Sequence, residues 1–78
     1  MKTMTCEQLG GACDKKFQAE TFEEIAEMSK KHGMEMFKKG DAPHLNAMNK
    51  MKGLIKSPEA MAEWYDKKRA FFNSLSND

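Results

Sequence analysis

The chain has little that names a partner or a reaction. Its 13 basic and 12 acidic residues leave a net charge of +1, so there is no long-range field to attract nucleic acid or an anionic membrane. No apolar run approaches the roughly 18 residues of a membrane span, and the opening Met1-Lys2-Thr3-Met4-Thr5-Cys6 lacks the apolar stretch of a secretory signal. The expected setting is therefore the cytoplasm. There is no Gly-rich phosphate loop, no HExxH, no GxSxG and no carboxylate pair in a catalytic context, which argues against an enzyme and gives no small-molecule substrate. Internal repeats and low-complexity tracts are absent as well.

Soft ligands are also scarce: two cysteines and two histidines. Those four, Cys6, Cys13, His32 and His44, nevertheless add up to one Cys₂His₂ set. In a reducing compartment such cysteines read as free thiols or metal ligands before a disulfide, although a Cys6–Cys13 bridge is sterically open. A chain of 78 residues forms one domain and buries only about 60% of its unfolded surface, so a metal, a bridge or a partner would help to hold it. Eight methionines suit a plastic core or an apolar contact surface.

The local patterns predict an α+β domain, with an N-terminal β-hairpin packed on a long helix and a helical hairpin after it. Residues 2–6 and Lys16 to Glu20 read as the two strands, joined by a long connection with Gly10-Gly11 at its bend and a cysteine near each end. Thr21 and Glu24 stand in capping-box spacing, Lys38 and Lys39 fill a last helical turn, and Gly40 is a good stop. Between them Phe22, Ile25, Ser29, His32 and Met36 recur at helical steps, which turns His32 towards the core and the cysteine loop.

Asp41 can cap a second helix with Pro43 in its first turn and Leu45, Met48, Met51, Leu54 and Ile55 as its apolar stripe. Ser57-Pro58-Glu59 starts a third, which carries Met61, Trp64, Tyr65, Lys68, Phe71, Phe72 and Leu75. The aromatic face of the third helix is expected to meet the methionine face of the second, and Ser76-Asn77-Asp78 to fray. The single domain 1–78 thus divides into hairpin plus helix (1–40) and a two-helix extension (41–75).

The expected ligands are Cys6, Cys13 and His32, taking Zn²⁺ or another divalent transition metal. The fourth position is left to water, Asp14, Asp41 or His44, although a residue in the opening turn of a helix is expected to face solvent. The six residues between the cysteines exceed the usual zinc spacing. The competing reading makes the cysteines small buried apolar residues and His32 a core imidazole bonded to a backbone carbonyl. A Cys6 nucleophile with His32 as base finds nothing to orient that base. Lys30, Lys31, Lys38 and Lys39, interleaved with Glu27 and Glu35, read as a solvated helix face. Aromatic pairs at 64–65 and 71–72 cannot all face one neighbour, so a homodimer or other protein–protein contact through the Met- and aromatic-rich helices is the alternative function.

The order Met4-Thr5-Cys6, Leu9-Gly10, Cys13-Asp14, Thr21, Glu23-Glu24 and His32-Gly33-Met34 resembles a family of small bacterial proteins described as predicted metal-binding, a domain of unknown function (DUF1059-like), over about residues 1–37. The resemblance implies a compact α+β domain with the cysteines and the helical histidine as suspected ligands. Family members often have a further histidine one or two turns before His-Gly-Met. Here Glu24-Ile25-Ala26-Glu27-Met28 offers only carboxylates, with Glu27 the candidate replacement. The segment after Gly40 then reads as an added interaction module.

Overall fold

A computed structural model describes residues 1–77. The expected α+β arrangement is what it shows. Strand β1 (Lys2–Thr5) and strand β2 (Lys16–Ala19) form an antiparallel hairpin, followed by α1 (Phe22–Lys39), α2 (Ala42–Leu54) and α3 (Pro58–Ser74). Of the three residues expected to fray, Ser76 and Asn77 have no regular structure, and Asp78 lies outside the described residues.

Register follows from burial. Met4 pairs with Phe17 across the hairpin, and Lys2 with Ala19; Met4, Phe17 and Ala19 are buried with Phe22 and Ile25 of α1 beneath them. A slip of one residue would turn Phe17 to solvent, so the apolar alternation fixes the pairing. Helix α1 starts where the Thr21 hydroxyl accepts a hydrogen bond from the Glu24 amide at 3.2 Å and donates to the Glu24 carboxylate at 3.1 Å, so the N-cap half of a capping box is in place. It ends at Gly40, whose φ of 71° lies in the left-handed region that costs other residues about 1–2 kcal/mol.

The two extension helices lie against different parts of the first half. Helix α2 leaves Gly40 immediately and packs beside α1, whereas α3 returns to α1 and β1. The buried aromatic face of α3 is set against Phe22 and the hairpin core, where the sequence suggests the methionines of α2. Phe72 and Tyr65 make edge-to-face contacts with Phe22, at ring separations of 6.1 and 5.0 Å. The reason is competition for apolar area. The sheet leaves Phe22 to be covered, and edge-to-face aromatic pairs gain about 0.5–1.5 kcal/mol beyond the area they bury. Polar contacts fix the same docking: Arg69 reaches Glu23 at 3.2 Å and lies over Tyr65, and Lys2 donates to the Asn73 carbonyl at 3.2 Å. Among the described residues, no helix is long and apolar enough to cross a membrane.

Candidate metal centre

The hairpin connection winds round Cys6. Its amide donates to the Lys15 carbonyl at 2.8 Å, continuing the strand ladder by one step, and its own carbonyl accepts from Leu9 (3.1 Å) and Gly11 (2.8 Å). The Glu7 amide bonds to the Cys13 carbonyl at 3.1 Å. The backbone therefore holds the two cysteines on one side of a closed loop. Gly11 is required by close approach: a β-carbon there would lie 2.1 Å from Cys6 Sγ. The backbone of Cys13 and Ala12 acts to lower the pKa of the Cys6 thiol, and that of Lys15 the pKa of Cys13. Backbone hydrogen bonds of this kind stabilise negative sulfur.

His32 arrives from α1 and His44 from α2. The Nε2 of His32 is 3.3 Å from Cys13 Sγ, and that of His44 is 3.7 Å from Cys6 Sγ. The two rings meet edge to face with centroids 5.2 Å apart, and Phe17 packs edge-on to His32. One ligand atom from each of Cys6, Cys13, His32 and His44 falls within 4.8 Å of every other. Both cysteines are free thiols, and Cys6, His32 and His44 are only 4, 7 and 6% exposed. The four residues therefore lie close together and could bind a metal.

His44 is the residue the sequence reading misplaced. It was expected to face solvent, yet it is buried and completes the cluster, because the sharp link at Gly40–Asp41 turns the first turn of α2 inward. Asp41 explains how. Its Oδ2 accepts the His44 backbone amide at 3.1 Å, capping the helix, and also lies 2.5 Å from the ring Nδ1. A carboxylate only accepts, so Nδ1 carries a proton, and in the neutral ring Nε2 keeps its lone pair on the side of the sulfurs. The Asp-x-x-His spacing at a helix start was the available sequence signal. Asp14 and Glu27 are exposed and lie outside the cluster. Helix α2 is thus more than an appended module, since it supplies one of the four donors.

The electrostatics divide the four donors, raising Cys6 and His44 and lowering Cys13 and His32. Desolvation holds the Cys6 thiol above its ordinary range despite the backbone groups that act to lower it. Desolvation also pushes on Cys13, but the Lys15 backbone and the His44 ring outweigh it and the net shift is downward. Burial, and then the neighbouring His44, lower His32. The hydrogen bond to Asp41 raises His44 and depresses Asp41 in turn. No family model, curated protein or solved structure matches this chain.

Proposed function

We propose that this protein binds one divalent transition-metal ion, zinc by the character of its donors, through Cys6, Cys13, His32 and His44, and that the ion ties the hairpin loop to α1 and α2. The observation that carries the reading is the mutual approach of the four ligand atoms within 4.8 Å. In a tetrahedral zinc site with Zn–S of about 2.3 Å and Zn–N of about 2.0–2.1 Å, a sulfur–nitrogen edge is about 3.6 Å. Two of the four sulfur–nitrogen distances, 3.3 and 3.7 Å, lie on either side of that value. The Asp41–His44 pair has the carboxylate–histidine form that orients ligands at metal centres.

Four protein donors fill a tetrahedral shell and leave no position for substrate, so the role assigned to the ion is structural rather than catalytic. Elemental analysis of protein purified without added metal is expected to give close to one zinc per chain, and Cys6→Ala to lose it. Metal-free protein with a full complement of native structure would end the reading.

A second reading, self-association, draws on a separate observation: Leu54, Met61 and Phe71 remain 65, 51 and 40% exposed. Light scattering across concentration decides it. A strict monomer at high concentration would remove self-association as the use of these side chains.

A further inference from the structure

Helix α2 touches α1 at its N-terminal end, where His44 is buried, and the two helices leave a crevice beyond that point. The crevice encloses about 550 Å³ and reaches from the buried His44 past Leu45, Met48 and Met51 to Ile55, with Phe37 of α1 opposite. A second cavity of about 510 Å³ shares Gly33, Phe37 and Met48 with the first and continues it along Met34. Volumes of this size, with mainly apolar walls, suit one small organic ligand. Phe37 and Met34 are 65 and 54% exposed, so the apolar wall of the crevice is not consumed by packing within the chain.

Charge narrows the class of ligand. The chain has 12 acidic and 13 basic residues, yet none of the residues lining either cavity is acidic, and the charged ones are Lys52, Lys30 and Lys38. All three lysines are exposed, so the charged groups along the lining are cationic and the rest of it is mainly apolar. Methionine walls adapt to a flexible chain. From this charge complementarity we propose that the crevice between α1 and α2 binds a monomeric anionic amphiphile of the fatty-acid class, with its apolar chain among Leu45, Met48, Met51 and Phe37 and its carboxylate towards the lysines.

This proposal is separate from the metal reading, although Cys6, His32 and His44 form one end of the crevice floor. The probe is dodecanoate below its micelle concentration, titrated calorimetrically into protein of measured metal content. Dodecyltrimethylammonium, which has the same chain and the opposite head charge, serves as comparison. The expected result is one saturable dodecanoate site per chain, with the cationic analogue weaker by about tenfold, the scale of one or two lysine–carboxylate pairs. The double charge reversal Lys38→Glu with Lys52→Glu should abolish or invert that preference. These side chains are exposed, so the variant tests binding with little risk to folding.

Gly33→Leu should fill the shared section and weaken dodecanoate by about tenfold or more. A β-carbon there makes only ordinary contact with Met48 Cε at 3.8 Å, and glycine is a poor helix former. Equal or tighter binding of the cationic amphiphile, or binding indifferent to Gly33→Leu in folded protein, would overturn the proposal. It would fall equally if an acidic amphipathic peptide, anionic vesicles or a second copy of this chain took the crevice while dodecanoate did not. Zinc-loaded protein that ignores dodecanoate sinks this inference and leaves the metal reading standing. Dodecanoate binding by protein that takes up no zinc does the reverse.

Discussion

Helices α2 and α3 are each anchored by a single buried side chain, but the anchors are of opposite kinds. For α2 it is His44; for α3 it is Phe72. Phe72 is held by apolar contact with Phe22 and the hairpin, which operates whatever the solution contains. His44 is a polar ring in the company of two thiols and a second imidazole, and its burial is compensated by donors and acceptors rather than by area. The apolar stripe of α2 lines an open crevice instead of filling one. One extension helix therefore depends on packing, and the other on the chemistry of its first turn.

Removing the metal should break this symmetry most strongly. Structural zinc contributes on the order of 10 kcal/mol of apparent binding free energy at neutral pH, comparable with the whole stability of a small domain. After treatment with a chelator, amide exchange over 42–54 is expected to rise first and furthest, with 58–74 following only as the whole domain opens. Simultaneous loss in both helices would show that they form one cooperative unit and erase the distinction. Phe72→Ala makes the reciprocal test. Truncating a buried phenylalanine costs about 3–5 kcal/mol, so the denaturation midpoint of the zinc-loaded protein should fall. Exchange protection should be lost first in α3, and metal stoichiometry should persist.

The same contrast explains what could be read in advance. The hairpin, the capping box at Thr21–Glu24 and the stop at Gly40 are local signals, and each stands where the sequence put it. The convergence of Cys6, Cys13 and His32 was legible because a hairpin joins the two cysteines and helical periodicity turns His32 inward. The inward face of α2 was not legible. It depends on the angle at which the chain leaves Gly40, and a rotation of half a turn would have sent His44 to solvent. The seat of α3 was missed for a related reason: periodicity identifies an apolar face but not which of two apolar surfaces covers it. Phe22 won over the methionines through edge-to-face ring packing.

Asp41→Asn sharpens the α2 side of the comparison by separating two jobs of one carboxylate. Asparagine caps a helix about as well as aspartate, so helix content should hold. The amide cannot reproduce a charged acceptor at the ring Nδ1, and loss of such a partner typically costs about 10–100-fold in metal affinity. A competition titration with a zinc chelator reads this directly. Unchanged affinity would mean that the cap alone places His44. Acid should act in the same direction, because the thiol of Cys6 and the ring of His44 both hold their protons more firmly than usual. Each proton that the metal displaces makes affinity fall about tenfold per pH unit once the pH is below that group's pKa.

The smallest effect belongs to Gly40→Ala, at the joint between α1 and the helix that carries His44. No other atom lies within 4 Å of where the added β-carbon would sit, so the cost is conformational alone: about 1–2 kcal/mol for an L-residue at a φ of 71°. If the metal and Asp41 orient the first turn of α2, the zinc-loaded variant should lose that much stability in denaturant and still bind one ion with nearly the parent affinity. A fall in affinity beyond about tenfold would mean that the joint, and not the donors, aims His44. The anchor of α2 would then be as mechanical as that of α3.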